Sequence, residues 1–394
     1  MKHDVVIVSA ARTAIGRFGG SLRTVNSGTL GSIVIKEVIQ RAGITADLVD
    51  EVILGEVRQS TESSNVSRVA ALRAGVPENV PAYTVNRLCA SSMQAVACGA
   101  LQIVFNHADV VIAGGVENLS RTPIYLRNAR FGEGKPVLVD SNFENGQQPS
   151  EIYGDDLGMG ATAENVAVMY NVSREDQDAF ALESQRRAAV AIADGKFNEE
   201  IVTVKVREKK ETLILNTDEH PRPDTTIEQL KKLAPAFRKD GSVTAGNACG
   251  RNDGGAAMLL MSAQKAMSLG LKPLVRIVDW SVAGVSPEVM GVGPVSAIKI
   301  LLERTGLALS DIGLIELNEA FASQALAVIR LAGLDPAIVN VNGGAIALGH
   351  PLGATGARLM TTLLFEMMRR KEQFGMATLC VGGGQGMAII LELV

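Results

Sequence analysis

The amino-acid sequence predicts an α/β fold built around a mostly parallel, buried sheet. Short runs of apolar, often β-branched residues alternate with segments of helical periodicity, a pattern typical of strand–helix–strand units. Glycine accounts for 40 of the 394 residues, which indicates many tight turns and close packing of backbone. Hydrophobic residues make up 47% of the chain, so it is not intrinsically disordered, and its length favours two to three domains.

The first 120 residues contain the elements of one α/β half. A helix is predicted over 33–42, ending at Gly43. Strands are predicted at 5–8, 51–57, 82–85 and 109–114.

Residues 121–250 are predicted to form an inserted loop domain over the core. Prolines, glycines and a polar stretch over 142–150 precede one long helix, with Ser173 and Asp176 as its capping pair and Gly195 at its end. The charged run over 205–211 is interpreted as a solvated hairpin, because such runs seldom form binding patches.

A second α/β half is predicted over 271–394, and the first half (1–120) is completed by about 251–270. The layout of the second half repeats that of the first, in the order strand, loop, helix and strand. The matching segments are 82–85, Cys89, 91–105 and a strand ending at Gly114 and Gly115, against 338–341, a glycine-rich loop, 355–370 and a strand ending at Gly382 and Gly383. Halves that fold alike can bring their strand ends to one shared site.

Charge and cysteine content exclude several classes of protein. Lys and Arg number 38 against 42 Asp and Glu, so no broad nucleic-acid surface is expected, although a small anionic ligand needs only a few local cations.

No CxxC pair occurs among the cysteines, which favours reduced thiols. With no signal peptide or membrane-length apolar segment, we expect a cytoplasmic protein without a membrane partner. Neither a metal site nor a tightly bound cofactor is expected.

Cys89 lies in NRLCASS, directly between a predicted strand and a predicted helix. A thiol at that place meets the positive end of the helix dipole, which lowers its pKa and suits a nucleophile. The alternative is a small buried hydrophobic residue, the commoner role of cysteine and the one that mid-helix Cys98 illustrates.

Two glycine-rich loops carry further candidates. His350 lies in GGAIALGHPLGATG, where the loop can hold an imidazole open to substrate; the alternative is a histidine bonded to a carbonyl. Cys380 precedes VGGGQG, whose N–H groups can point at an oxyanion; the alternative is a buried strand cysteine beside a hairpin. Met387 takes the third glycine position of GxGxxG, so a dinucleotide site is not expected.

Asn318 opens the segment NEAFASQALAVIRLAG, which has a helical pattern ending at Gly333. By itself this pattern predicts that Asn318 is the helix N-cap and that Glu319 lies in the first turn. The Asn318 amide can also hold a water or an oxyanion if it faces the site.

Together these groups indicate carbon–carbon bond chemistry next to a thioester. A histidine accepts the proton of a thiol, the thiolate formed takes up an acyl group as a thioester, and a second thiol moves a proton at carbon. The enolate oxygen also needs hydrogen-bond donors, each typically worth ~10²–10³ in rate.

The sequence resembles the thiolase family over nearly the whole chain. Eight ordered motifs carry the resemblance: ARTAIGRFGG, NRLCASS, AGGVENLSR, GATAENVA, TAGNACGRNDG, NEAFASQ, GGAIALGHPLGATGAR and CVGGGQG. The resemblance, to acetyl-CoA acetyltransferases and 3-ketoacyl-CoA thiolases, implies two βαβαβαββ halves in a five-layer α-β-α-β-α sandwich. It also implies a homodimeric or homotetrameric acyltransferase for reversible Claisen condensation and thiolysis.

The same resemblance implies the catalytic roles. Cys89 is similar to the nucleophile that becomes acylated, His350 to the base that activates it, and Cys380 to the second thiol that moves the α-proton. Asn318, through a water, and His350 would form one oxyanion hole. The backbone N–H groups of Cys89 and Gly382 would form the other.

Coenzyme A is the implied substrate and product, held against the inserted domain. The implied contacts are Arg222 at the adenine end and Met159, Phe237, Ala245, Cys249 and Phe321 at the remaining part of the molecule.

Three features depart from the family pattern. Cys249 replaces the usual serine of GNASG, Gly158 replaces a histidine common in acetoacetyl-specific members, and residues 133–156 lack the usual pattern that shapes the acyl pocket and, in many members, the tetramer contact.

Other classes remain as alternatives. A ketoacyl-synthase-like condensing enzyme would use a Cys-His-His set, but Cys380 occupies the place of its second histidine. A non-catalytic scaffold that binds acyl chains or lipids, or a Cys-His hydrolase, would leave part of the catalytic set without a role.

Overall fold

The computed structural model describes residues 4–144, 146–208 and 211–394. Within these ranges no helix is long and apolar enough to cross a membrane. The helices are α1 (Ser27–Ala42), α2 (Val66–Ala74), α3 (Ser91–Val104), α4 (Ser150–Tyr153), α5 (Met159–Met169), α6 (Arg174–Ala193), α7 (Ile227–Lys231), α8 (Ala263–Ser268), α9 (Gly293–Thr305), α10 (Ala322–Ala332), α11 (Ala345–Leu348) and α12 (Leu352–Arg370). Short 3₁₀ turns lie at Ala46–Leu48, Thr61–Ser63, Leu119–Arg121, Pro287–Val292 and Leu309–Asp311.

The strands form one large sheet and two separate hairpins. They are β1 (Val5–Thr13), β2 (Gly16–Arg17), β3 (Glu51–Gly55), β4 (Ala82–Val85), β5 (Val110–Asn118), β6 (Ile124–Arg127), β7 (Val137–Asp140), β8 (Ile201–Val202), β9 (Val204–Glu208), β10 (Glu211–Leu215), β11 (Asn252–Ser262), β12 (Val275–Gly284), β13 (Ile312–Leu317), β14 (Phe374–Val381) and β15 (Gln385–Leu393).

The strand order repeats between the two halves, except that β4 has no counterpart in the second half. It runs β4-β3-β5-β11-β1 in the first half and β13-β14-β15-β12 in the second. The halves meet where Val6 and Ile7 of β1 pair with Arg276 and Val275 of β12.

The prediction of a mostly parallel sheet is wrong, because the sheet is mixed. β3 runs parallel to β4 and β5, and β13 runs parallel to β14. However, β11 is antiparallel to β1 and β5, and β15 is antiparallel to β12 and β14. The tight glycine turn between β14 and β15 requires the antiparallel direction, since a parallel connection needs a long crossover.

The layers alternate helix, sheet, helix, sheet, helix. Along β1, Val5 and Ile7 face the central core while Val6 and Val8 face the outer core under α1, the period of two that a strand imposes. Helices α3 and α12 pack on each other between the two halves of the sheet, and α1 with α2 and α9 with α10 cover the outer faces. This packing gives the five-layer sandwich predicted above.

The segment between β5 and β11 contains the hairpins β6–β7 and β9–β10 and helices α4 to α7. The predicted cap of α6 is confirmed, because the Ser173 hydroxyl accepts a hydrogen bond from Asp176 N–H at 3.1 Å. The predicted charged hairpin is present as β9–β10. Its Lys209 and Lys210 lie outside the described residues.

The strand predicted at 338–341 is wrong, since this part of the chain makes only an isolated bridge between Val339 and Ile315. Asn340 adopts a left-handed conformation, with φ of 47°, which breaks the extended chain. Its side chain takes over the pairing, because it accepts from Leu317 N–H and donates to Leu317 carbonyl, both at 2.8 Å.

Candidate active site

A strained turn between β4 and α3 presents Cys89. Leu88 has φ of 46°, a left-handed conformation that is unusual for a residue with a bulky side chain. The Asn86 side chain accepts from Leu88 N–H at 2.9 Å, and the Ser91 hydroxyl donates to the Leu88 carbonyl at 2.7 Å. These local bonds hold the turn, so Cys89 has a fixed position just before the helix begins.

The Cys89 thiol lies in a largely desolvated environment. This desolvation raises its pKa to about 11, although N–H groups of Gly382 and of Cys89 itself bond the sulfur and act in the opposite direction. The prediction of a lowered pKa is therefore wrong here, since the effect of burial exceeds that of the hydrogen bonds to the sulfur. At neutral pH the resting group is a protonated thiol.

His350 is buried in the loop between α11 and α12. Its Nδ1 lies 2.7 Å from the Thr355 hydroxyl, which donates its own hydrogen to the Pro351 carbonyl at 2.8 Å. Because that hydroxyl has one hydrogen, it accepts from Nδ1–H, and Nε2 is left as the unprotonated nitrogen. Burial and, secondarily, the charge of Arg358 lower the His350 pKa to about 3. The imidazole is therefore a neutral acceptor.

Asn318 is not a helix N-cap, which corrects the prediction from its sequence pattern. Helix α10 begins at Ala322, and Asn318 lies in the loop before it. A helix capped by Asn318 would need Ala322 N–H to donate to the Asn318 carbonyl, but that N–H donates to the Asn247 carbonyl at 2.8 Å instead. The Asn318 side-chain nitrogen lies instead 3.5 Å from His350 Nε2, and its buried oxygen has no protein partner among the described residues.

Glu319 is likewise absent from the first turn of the helix. Its buried carboxylate accepts hydrogen bonds from the Ser184 hydroxyl, the Asn340 amide and the Ile346 N–H, at 2.7, 2.8 and 3.1 Å. It ties helix α6 to the loop that precedes His350.

Cys380 lies near the end of β14 and is fully buried. Burial raises its pKa well above the ordinary value, and the nearby Cys89 and Cys249 thiols add to the effect. The three sulfurs thus belong to one electrostatic environment. Cys380 also packs with Phe321 and Met159.

The glycine turn after Cys380 packs against the Cys89 turn. A Cβ atom on Gly382 would lie 3.2 Å from Leu88 Cδ1 and 3.6 Å from the Met159 sulfur. Gly383 and Gly384 have φ of 76° and 85°, so glycine is required in this turn. The Gly382 N–H is one of the two backbone donors to the Cys89 sulfur.

Most of the predicted coenzyme A contacts surround the same region. The rings of Phe237 and Phe321 meet edge to face at 6.1 Å, and Phe237 is 49% exposed. Cys249 N–H donates to the Ala320 carbonyl at 3.0 Å, which joins its loop to the loop of Asn318. Ala245, in the same loop, is exposed.

Arg222 lies in a different place from the other predicted contacts. It lines a pocket together with Arg17, His220 and Arg251, and the pocket does not include the Phe237 and Phe321 rings. In the ranges that the structure covers, no group of three or more His, Cys, Asp or Glu side chains is arranged to hold a metal ion.

Two further site residues escaped the sequence analysis. Glu117 accepts from Gly353 N–H at 2.9 Å and from Val57 and Arg58 N–H at 3.1 Å, which joins the His350 loop to the chain after β3. Asn252 accepts from His350 N–H at 2.9 Å. Both residues lie inside motifs quoted above, AGGVENLSR and TAGNACGRNDG, so their presence in these motifs could have identified them as site residues.

Comparison with known proteins gives a consistent result. The thiolase N-terminal domain matches residues 5–264 and the thiolase C-terminal domain matches residues 271–393. An acetyl-CoA acetyltransferase of Pseudomonas aeruginosa is 52% identical over 392 residues, covering 99% of both chains.

Solved structures agree over the full length. The crystal structure of the Bacillus anthracis acetyl-CoA acetyltransferase has a TM-score of 0.96 at 46% identity, covering 100% of this chain and 99% of that one. Human mitochondrial 3-ketoacyl-CoA thiolase in complex with CoA has a TM-score of 0.94 at 42% identity, covering 100% and 98%.

Proposed function

The chain belongs to the thiolase family, and on that premise we propose that its reaction runs through an acyl-cysteine intermediate on Cys89. The enzyme is an acyltransferase that catalyses Claisen condensation and thiolysis. The observation that carries the proposed residue roles is the arrangement around Cys89. Its thiol has the N–H groups of Gly382 and of Cys89 itself as hydrogen-bond donors and shares an electrostatic environment with Cys380. The proposed base, His350, has an unprotonated Nε2 that lies 3.5 Å from the Asn318 amide nitrogen.

In thiolysis, the Cys89 sulfur attacks the 3-keto carbon of a 3-ketoacyl-CoA. His350 Nε2 accepts the thiol proton as the carbon–sulfur bond forms, since the raised pKa of Cys89 keeps it protonated until then. The N–H groups of Cys89 and Gly382 stabilise the resulting oxyanion, a contribution of about 10²–10³ in rate for each such donor.

The carbon–carbon bond then breaks, and its electron pair forms the enolate of acetyl-CoA. The Cys380 thiol donates its proton to the enolate carbon, and acetyl-CoA leaves. Asn318, through a water, and His350 hold the enolate oxygen during this step. Free CoA then gives its thiol proton to the Cys380 thiolate and attacks the acyl-cysteine. The Cys89 sulfur leaves with the proton held by His350, so the shortened acyl-CoA is released and both thiols are restored. Condensation is the reverse sequence.

Coenzyme A and its thioesters are the proposed ligands, with no other tightly bound cofactor. The half-exposed Phe237 against Phe321, with Met159 and Cys249 beside Cys380, supports a place for the pantetheine arm. Ala245 would flank the pantetheine. Arg222 would lie towards the nucleotide end.

We further infer a cytoplasmic homodimer or homotetramer that serves fatty acid metabolism. The hairpin β6–β7 supports self-association, because Ile124, Leu126 and Leu138 are 64%, 56% and 72% exposed. Light scattering on the purified protein measures the number of subunits. Relative thiolysis rates over 3-ketoacyl-CoA substrates from four carbons upward measure the preferred chain length.

Burst labelling tests the intermediate. Wild-type enzyme mixed with radiolabelled acetyl-CoA is expected to acquire one acetyl group per active site, located on Cys89 by peptide mapping. A Cys89→Ser protein that turns over at the normal rate would contradict the proposal. Thiolysis of acetoacetyl-CoA measured beside its hydrolysis separates this enzyme from a Cys-His hydrolase and from a scaffold without turnover.

A further inference from the structure

The chain segment that follows β3 is tied to the turn that presents Cys89. The Asn86 side chain makes the connection, because its nitrogen donates to the Val57 carbonyl at 3.2 Å and its oxygen accepts from Leu88 N–H at 2.9 Å. The next residue of the segment is Arg58, whose side chain is half-buried. The structure therefore holds an arginine beside the proposed nucleophile.

The guanidinium group of Arg58 has no protein partner among the described residues. Its Nε is buried without a hydrogen bond, and the side chain forms no ion pair within these residues. The Glu117 carboxylate lies within reach of its charge but accepts three backbone N–H groups, one of them from Arg58 itself at 3.1 Å. Because an unpaired charge withdrawn from water costs free energy, this guanidinium favours a negative group on a ligand.

Arg87, which lies on the turn itself, differs in this respect. Its Nε donates to the Gln94 side chain at 2.7 Å, and its Nη1 donates to the Gln385 side chain at 3.0 Å. The Arg87 guanidinium thus joins the turn to α3 and to the start of β15. Arg58 has no such structural bonds and is available to a ligand.

The charge of Arg58 acts on the sulfur of Cys89. Burial is the main cause of the raised pKa of Cys89, and the positive charge of Arg58 is among the influences that oppose it. Charges interact strongly only where little water separates them. An acyl group attached to the Cys89 sulfur therefore begins within the field of this cation.

A second polar side chain without a partner lies next to the same turn. Gln147 packs against the glycine turn after Cys380, because a Cβ atom on Gly382 would lie 3.3 Å from Gln147 Cγ. The buried Oε1 of Gln147 has no protein partner among the described residues. An uncommitted amide in such a place is the kind of group that orients a polar part of a ligand.

We propose that Arg58 is a specificity-determining residue that selects acyl groups carrying a carboxylate, so that the enzyme acts on CoA monothioesters of dicarboxylic acids. A guanidinium group matches a carboxylate in paired, charge-assisted hydrogen bonds. A neutral acyl chain of the same length leaves the cation unpaired, and sites that bond a polar group discriminate for this reason against analogues that lack it. This selection rests on the proposed function, since it requires the acyl-cysteine on Cys89.

Acyl transfer from matched thioesters to the full-length enzyme tests the selection. Succinyl-CoA is compared with butyryl-CoA, and adipyl-CoA with hexanoyl-CoA, so that within each pair a carboxylate replaces a methyl group. In every case the Cys89 sulfur takes up the acyl group, and CoA leaves as a thiol with the proton that Cys89 gives up. Rapid quenching followed by peptide mass spectrometry measures the rate of acylation at Cys89.

In the wild-type enzyme we expect the carboxylate member of at least one pair to react at least about tenfold faster than its neutral partner, the size of one charge-assisted bond. The ratio of the two rates should fall at least about tenfold in Arg58→Gln, whereas Arg58→Lys keeps the charge and should retain part of the preference. The control Lys299→Gln removes an exposed charge from α9 and should give the wild-type ratio. Loss of folded protein does not affect the ratio, since both thioesters react with the same sample.

Equal rates within both pairs in the wild-type enzyme would overturn the proposal. So would an unchanged ratio in Arg58→Gln, which would mean that Arg58 acts on Cys89 whatever the acyl group. The measurement also separates this selection from the proposed function. If the neutral thioesters acylate Cys89 and those with a carboxylate are no faster, only the selection is wrong; if no thioester acylates Cys89, both are wrong.

Discussion

The Nδ1 atom of His350 lies 2.7 Å from the Thr355 hydroxyl, and the direction of that hydrogen bond sets which imidazole nitrogen is basic. Thr355 donates to the Pro351 carbonyl, so it accepts from Nδ1–H and keeps Nε2 free of a proton. In other nucleophile–base sites a carboxylate accepts the hydrogen bond from the imidazole N–H. Here the Thr355 hydroxyl accepts it, and a hydroxyl adds no negative charge.

Replacing Thr355 by valine should slow acylation of Cys89. Without an acceptor for Nδ1–H, the imidazole populates the other tautomer, and we expect the acetylation rate to fall at least about tenfold. Rapid-quench measurement of acetyl transfer from acetyl-CoA gives this rate. The conservative Thr355→Ser variant keeps the hydroxyl and should recover most of the rate; equal loss in both variants would instead indicate a packing defect.

The raised pKa of Cys89 predicts an unusual pH dependence of alkylation. Because the folded protein holds this thiol protonated up to about pH 11, its reaction with iodoacetamide should keep rising above pH 9. Peptide mass spectrometry follows Cys89 separately from Cys98 and Cys249. A rate that levels off below pH 8 would mean that Cys89 and His350 form an ion pair at rest, contrary to this expectation.

The Cys380→Ser variant should separate the two partial reactions. Cys380 is buried, and its pKa is raised well above the ordinary value by burial, so it is a proton donor and not a second nucleophile at rest. We expect labelling of Cys89 by acetyl-CoA to survive, while thiolysis of acetoacetyl-CoA falls by about 10² or more. Equal loss of acylation and thiolysis would contradict the role proposed for Cys380.

Local sequence patterns pointed to the proposed catalytic groups because those groups lie at breaks between elements. Cys89 follows a strand and precedes a helix, and His350 lies in a glycine-rich loop, so each is visible from its neighbours in the chain. The repeat of the two halves was visible in the same way. Strand direction was not visible in the sequence. It depends on which strands lie on each side of β11 and β15, and only the folded sheet shows this.

The features that local sequence patterns did not predict depend on contacts between residues distant in sequence. The helix predicted to start at Asn318 begins later because the Asn247 carbonyl accepts from Ala322 N–H, the group that would have to donate to the Asn318 carbonyl. The Cys89 pKa rises because of burial, which depends on the whole fold and which the position of Cys89 between a strand and a helix does not reveal. The tautomer of His350 depends on Thr355, whose role follows from the direction of one hydroxyl bond.

A buried pair of carboxyl groups behind the site predicts a loss of stability with rising pH. Burial raises the pKa of Glu56 to about 8, and the charge of the neighbouring Glu117 adds to the shift. A hydrogen bond from the Ser27 side chain acts against the shift, but one Glu56 oxygen has no protein partner among the described residues. A carboxyl group with a raised folded-state pKa binds protons more tightly when folded, so its stabilising contribution is full below about pH 4.5 and is lost as the pH rises through about 8.

The variant Glu56→Gln should therefore resemble wild type near pH 5 and exceed it near pH 9. We expect the free energy of unfolding of the variant to be higher by roughly 2–4 kcal/mol at the upper pH, allowing for relaxation of the buried site. Denaturant unfolding at both pH values measures the difference, and Glu303→Gln, at an exposed position of α9, provides the control with no expected pH-dependent gain. A difference between Glu56→Gln and wild type that stays constant from pH 5 to pH 9 would show that Glu56 does not titrate in this range.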